Sequence, residues 1–459
     1  MHTDKHLLKI TRRAWEDAAP FRASRRRLKA FTYGRQWDDV TIMPDGRRLT
    51  EAQRAVEEGR TPITNNIIRR MIKSIIGHYS RLTALEKQSS DSESALGFSP
   101  LCERDARALE ELLISGSTIQ YVAPESGEIS NISPDRFIFR RFACSDASDC
   151  TLLGHLVDLP FEDVLLRYSD RSPERARELR AAFRNADNTS SPFPATDRER
   201  FASPGLPGTV RVIEVWQHTA VELLRIHDPL EADYTVADPS RLEAFEKVNR
   251  RRRRDGEPEL KFTYDIQKAW VGTVMTPDGI VLDSTVAARH PYAVRFYPMI
   301  DGEVHSAVED VLDQQKLVNR LVSTLDQIIT ASAKGVLLYP ADQLPDGFTW
   351  RDVRRIWSNP SGILPYKRTS KTVIPHQVSA GGSSAGATDL LHTQLQIFDE
   401  ISGATTSFRR RSSAVTGEGL LRAEMETALI SMLDILNSFH EFIISRDNLK
   451  NQFLKSANQ

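Results

Sequence analysis

Residues 296–340 read FYPMIDGEVHSAVEDVLDQQKLVNRLVSTLDQIITASAKGVLLYP. From Val304 to Ala333 this stretch contains no Pro, and no Gly either. Apolar residues recur at Val308, Val311, Leu312, Val318, Leu321, Val322, Leu325, Ile328 and Ile329, the period of a helix with one apolar face. At about 1.5 Å per residue the span predicts a rod of roughly 40 Å or more, about twice an ordinary globular helix. The stripe is bordered by Asp310, Asp313, Gln314, Gln315, Lys316, Asn319, Arg320, Asp326 and Gln327, which can bond neighbouring helices. Periodicity alone leaves two readings open: a helix inside one large core, or a rod packed against copies of itself.

Upstream lie FTYGRQWDD, Phe31–Asp39, and GRTPITNNIIRRMIKSIIGHYSRL, Gly59–Leu82. The second predicts a helix driven into a core by Ile67, Ile68, Met71, Ile72, Ile75 and Ile76, with Thr64 or Asn65 as its cap. These pieces carry a family resemblance. An aromatic-Gly-x-Gln-Trp element is followed by a Pro, an Asn and a helix (Tyr33, Gly34, Gln36, Trp37, Pro62, Asn65, Asn66, Gly77). Later, a Gly turn precedes an acidic residue, Asp-Gln-Gln and Asn-Arg (Gly302, Asp310, Asp313, Gln314, Gln315, Asn319, Arg320). The chain resembles the portal proteins of tailed bacteriophages, and its version of the motif is most similar to portals of phages infecting Bacteroides-type hosts.

The resemblance implies an α+β portal fold that assembles as a ring. It implies a mixed α/β wing over 1–303, a first stem helix over 304–334 and a small α/β clip over 335–378. A connection and second stem helix follow over 379–404, then a tunnel loop over 405–419. Residues 420–459 would form a kinked helix returning to the wing, with a short or absent crown; either the portal is crown-less or the chain is a piece of a longer product. Asp310, Asp313, Gln314, Asn319 and Arg320 would make stem–stem contacts. Trp350, Arg351, Arg354, Arg355 and Trp357 would dock clip partners, although the two tryptophans also suit a clip core. Arg409, Arg410 and Arg411 would face passing DNA or pair with neighbouring carboxylates. The implied partners are further copies in a ring of twelve, the major capsid protein, the large terminase subunit, a neck or head-completion protein, and double-stranded DNA held without regard to sequence. The implied place is the portal vertex of a virion assembled in host cytoplasm.

The remaining elements are read from local pattern. Lys5–Phe31 predicts two amphipathic helices broken at Pro20, with Arg25, Arg26, Arg27 and Lys29 as either a solvated or intersubunit face or a nucleic-acid contact. A helix over Arg104–Ser115 precedes strands at Thr118–Val122 and Phe137–Arg141, and a helical pair occupies Asp158–Phe183. A strand starts at Thr209, with a partner at Val221–Asp228. WVGTVMTPDGIVL, Trp270–Leu282, is a hairpin turning on Pro277, Asp278 and Gly279. The run Arg250–Arg254 is exposed, facing solvent or a partner rather than nucleic acid. Helices are expected at Thr388–Ile401 and Leu420–Phe453.

Composition bounds the function further. Lys plus Arg number 61 against 62 for Asp plus Glu, which argues against a protein that wraps nucleic acid with its whole surface. Cys102, Cys144 and Cys150 form neither a disulfide framework nor a zinc motif. No apolar run is long enough to span a bilayer, so no membrane partner is expected. SAGGSSAGA, Ser379–Ala387, lacks the Gly-Lys-Ser/Thr ending of a phosphate loop. His440 and Glu441 lack a second His at zinc-protease spacing, and Asp310 with Asp313 lack a third ligand. No catalytic residue, metal or cofactor is expected. The rival readings are a helix-rich monomeric adaptor, or a nuclease or hydrolase whose site is assembled from unconnected residues.

Overall fold

The computed structural model describes residues 2–89, 101–183, 196–230, 233–237, 242–334, 336–358, 363–367, 374–378, 384–402 and 432–457. The chain divides into two compact units. Met1–Lys29, Ser74–Glu309 and Leu429–Gln459 form the first; Ala30–Lys73 and Asp310–Ala428 form the second. Residues 30–73, which the sequence reading placed with 1–303, thus fold with the long helix.

The first unit is built on an antiparallel sheet in the order Val281–Ala287, Lys261–Met275, Thr209–Asp228, Leu152–Pro160, Phe137–Phe139, with Asp233–Ala237 added beside the far end of Thr209–Asp228. A strand from Thr209 and a separate one over Val221–Asp228 were expected. They are one strand of 20 residues, because Gln217–Ala220 supplies no turn residue. Its true partner, Lys261–Met275, runs beside it from Ile213 to His227. The hairpin turns where the sequence placed it: Thr276 donates to the Ile280 carbonyl at 2.9 Å, and Gly279 takes φ +84°, a conformation open to glycine at little cost.

A second sheet orders Tyr292–Phe296, Ser117–Val122 and Ile129–Asn131. An aromatic cluster containing Phe137, Phe142, Trp216, Trp270, Tyr292 and Phe296 joins the two sheets. Partly buried polar groups are set into it. His155 Nδ1 lies 2.9 Å from the Tyr292 hydroxyl, and Trp216 Nε1 donates to Glu214 at 2.8 Å. Burial pushes the His155 imidazole down to about 3 and, with Arg289 nearby, His290 down to about 4. Burial drives the Glu214 carboxyl the other way, upward.

Helices cover these sheets. Lys5–Asp17 buries Leu7, Thr11, Ala14 and Trp15, and Asp4 caps it by accepting from the Leu7 N–H at 2.8 Å. Glu103–Ser115 and the terminal helix Leu433–Ala457 pack on the three-stranded sheet. Phe439 and Phe442 of the terminal helix are buried, and Arg446 reaches Asp105 at 2.6 Å. The helical pair expected over Asp158–Phe183 is Phe161–Tyr168 and Pro173–Ala182; Asp158 itself ends a strand.

Candidate functional site

The long helix is Leu312–Lys334, preceded by the short Ala307–Asp310. It starts eight residues later than Val304 because Glu303–Val304 pairs as a strand with Pro298–Ile300, a tertiary pairing that helical periodicity cannot reveal. At about 1.5 Å per residue it is roughly 35 Å long. Its buried side chains include Leu312, Gln315, Val318, Asn319 and Ser323.

Three of these are polar, and their partners are in residues 30–73. Gln315 Oε1 accepts from the N–H groups of Ile67 at 2.9 Å and Ile68 at 3.2 Å, while its Nε2 donates to the Asn65 carbonyl at 2.6 Å. Asn319 Oδ1 accepts from the Asn65 N–H at 2.9 Å, and its Nδ2 donates to Gln36 Oε1. Ser323 accepts from the Ile63 N–H at 3.1 Å. Asn66 Oδ1 takes the Arg69 N–H at 3.1 Å. The open N–H groups at the start of the Ile67–Ser89 helix are therefore satisfied by Asn66 and by a glutamine about 250 residues away, not by Thr64 or Asn65 as expected. Outside this amide seam lie two ion pairs, Lys316 to Asp39 at 2.5 Å and Arg320 to Glu51 at 2.8 Å. Burial alone would raise the Glu51 carboxyl, but hydrogen bonds from Thr41 and Arg320 hold it below the usual range.

The residues expected at stem–stem contacts therefore separate. Asn319, 3% exposed, is committed within its own chain, and Arg320 pairs with Glu51 of the same chain. Asp310 and Asp313 are exposed, and Gln314 is partly buried with an Oε1 that has no bond.

Farther along, the helix loses cover: Asp326, Gln327, Ile329 and Thr330 are all exposed. The helix packed against it, Ser384–Ile401, starts four residues earlier than expected. Among its described side chains only Phe398 is fully buried, while Leu390 and Ile401 are each 44% exposed. Between the two helices, Val336–Leu338 pairs antiparallel with His376–Val378, and Trp350–Ser358 forms a short helix. Thr349 caps that helix through reciprocal bonds with Asp352. Trp350 is 51% exposed, edge-on to Tyr339. Arg351, Arg354 and Arg355 are exposed, with Arg355 3.1 Å from Asp352, and Trp357 is partly buried. Trp350 is thus a surface residue; the buried anchor of this helix is Val353. Arg409, Arg410 and Arg411 lie outside the described residues.

The model of the family described as phage P22-like portal protein matches residues 125–438. The chain belongs to this family. No curated protein matches the sequence. A portal protein is a structural component of a phage, not a member of an enzyme family. Among the described residues of this portal protein, no three His, Cys, Asp or Glu side chains cluster as a metal site, and no helix is long and apolar enough to cross a membrane.

Most of the arginines described in two basic clusters of the sequence are held in ion pairs. Arg25, 3% exposed, bonds Glu111 at 2.7 Å and Asp135 at 2.7 Å, and Arg26 reaches Asp197 at 3.2 Å. Arg25 is therefore neither a solvated residue nor a nucleic-acid contact. In the helix Leu242–Asp255, Arg252 grips Asp228 through two bonds of 2.6 and 2.8 Å, and Arg253 does the same with Glu259. What the sequence did not show is the amide seam: its members were visible as letters, but only the fold pairs them.

Proposed function

We propose that the chain forms the ring-shaped channel at the unique capsid vertex through which the genome is packaged and ejected. The observation that carries this is the uncovered helix pair: Ile329 at 59%, Leu390 at 44% and Ile401 at 44% exposure lie on two packed helices of the second unit. An amphipathic helix draws its stability from burying its apolar stripe, so such a pair is completed by copies standing beside it. In this reading Leu312–Lys334 and Ser384–Ile401 are the stem helices, the contacts between copies fall on Asp310, Asp313, Gln314 and these apolar residues, and 336–378 is the clip. Trp350, Arg351, Arg354, Arg355 and Trp357 present the clip surface to terminase and later to a neck protein. Aromatic and arginine side chains are the types that dominate such contacts. The first unit is the wing that meets the capsid protein. Arg409, Arg410 and Arg411 attract DNA phosphates without reading sequence. The host is proposed to be of the Bacteroides type.

Size-exclusion chromatography with mass measurement, followed by imaging of the purified chain, tests the reading. The expected result is a large ring, of twelve copies in this proposal, around an open centre. A compact single subunit at all concentrations would overturn it and favour a monomeric adaptor or an enzyme.

A further inference from the structure

The first helix, Lys5–Asp17, carries a feature that the channel reading does not use. Its buried side is Leu7, Thr11, Ala14 and Trp15. On its outer side Lys5, Lys9 and Arg13 are exposed at i, i+4 and i+8, with His6 exposed next to Lys5. Such spacing sets the three cations in one row. The side chain of none of the three forms an ion pair or hydrogen bond among the described residues. Like charges four apart destabilise a helix, and a Glu at the middle position would relieve both repulsions. The sequence places Lys there instead. Conflict between a local rule and the fold is the pattern expected where a surface answers to a ligand.

Carboxylates stand near the row without pairing to it. Asp4 is committed to the helix cap, while Glu16 and Asp17, exposed three and four residues beyond Arg13, and Asp278, exposed on the adjoining hairpin turn, form no ion pair with it among the described residues. The longer arginine run behaves differently. Arg250, Arg251 and Arg253 are 70%, 88% and 71% exposed at their side chains, yet each faces a carboxylate, Glu246, Asp255 and Glu259. Four of the five arginines in the more conspicuous segment thus face a carboxylate, and the three cations of the shorter row do not.

The row is also held in place. The His2 carbonyl accepts from Val281 N–H at 2.9 Å, Asp4 N–H donates to the Gly279 carbonyl at 2.9 Å, and Trp15 Nε1 donates to the Asp197 carbonyl at 2.9 Å. Three cations over eight residues span roughly 12 Å, the axial rise of about three to four nucleotides at 3.4 Å each. No large apolar side chain of this helix is among the exposed ones. Protein docking surfaces are anchored by buried aromatic or aliphatic residues, whereas phosphate contacts need only positioned charge.

We propose that Lys5, Lys9 and Arg13 form a contact for the phosphate backbone of duplex DNA. The inference rests on the reading that this protein handles DNA, and it places a contact at a position which that reading leaves unassigned. The test is fluorescence anisotropy of a labelled random-sequence duplex with the full chain across a salt series. The triple variant K5Q/K9Q/R13Q is expected to bind at least tenfold more weakly at low salt. Its slope of log affinity against log salt should shrink by about 2.7, for three lost phosphate contacts at about 0.9 each. The comparison variant R250Q/R251Q/R253Q should stay within twofold of wild type. Unchanged affinity and slope in the first variant would overturn the proposal, as would a loss confined to the second. An acidic protein as the true occupant would show itself in the same way, by leaving DNA affinity intact. Imaging of the same samples keeps this separate from the channel reading: rings with unaltered DNA binding sink the row alone, and absent rings sink the channel alone.

Discussion

His155 resists taking a proton among the aromatic rings that surround it. In an unfolded chain an imidazole titrates near 6.5, but burial pushes His155 down to about 3 and His290 to about 4. Between those values the unfolded chain holds protons that the folded chain refuses, so stability present above about pH 6.5 is lost as pH falls, at up to about 1.4 kcal/mol per pH unit for each group. Glu214 has the opposite sign: its raised carboxyl takes up a proton earlier when folded than when unfolded, and regains stability as pH falls. Two imidazoles outweigh one carboxyl over most of this window. A His155→Phe variant should therefore lose less melting temperature between pH 6.5 and 4 than the wild type, whatever fixed cost it carries from stranding the Tyr292 hydroxyl. Equal slopes for the two proteins would remove His155 from the account. None of this was legible in the sequence, where His155 sits in LLGHLVD as one polar letter in a strand; its neighbours Tyr121 and Tyr292 arrive from strands far away in the chain.

Local chemistry was legible at the scale of elements wherever it sufficed to decide the structure. The hairpin at Trp270–Leu282 announced itself because Pro-Asp-Gly turns the chain without outside help. Sequence pattern alone splits the Thr209–Asp228 strand in two because its partner Lys261–Met275 lies beyond a further strand and a helix, and it begins the rod too early because the Glu303–Val304 strand is visible only through Pro298–Ile300. The Ile67–Ser89 helix combines both cases. Its apolar spacing is evident, but Asn66 caps it only in part, Gln315 takes the Ile67 and Ile68 N–H groups, and no local rule points 250 residues ahead. Replacing Gln315 by Leu would keep the volume and remove both acceptor and donor, leaving the Ile67 and Ile68 N–H groups and the Asn65 carbonyl without their partner. An unsatisfied buried group costs about 1–3 kcal/mol, so the variant should melt well below wild type in a thermal or denaturant scan. Gln314→Leu, one position away with an Oε1 that bonds nothing, should cost much less. Equal losses for both would mean that the helices are held by apolar packing and that the amide seam contributes little.

The two behaviours expected of the long helix belong to different parts of it when the molecule is taken whole. Near its start it is locked to residues 30–73 by Gln315, Asn319 and Ser323, all buried in a single subunit; near its end, and along Ser384–Ile401, apolar side chains remain in water. The first part should therefore govern the stability of a subunit and the second the assembly of subunits. Leu390→Glu together with Ile401→Glu alters two positions that are 44% exposed in the isolated chain, where substitutions ordinarily change stability by no more than about 0.5 kcal/mol. In a ring the same two charges would be carried into a contact between copies, where a buried unpaired carboxylate is strongly unfavourable. The double variant is thus expected to keep the wild-type circular dichroism spectrum while its measured mass falls to that of one subunit. Asn319→Ala should do the reverse, lowering the melting temperature of each subunit while rings still form at low temperature. If the Glu variant still forms rings of normal mass, these residues face the open axis or the outside, and the contact between copies must be sought on Asp310, Asp313 and Gln314 instead.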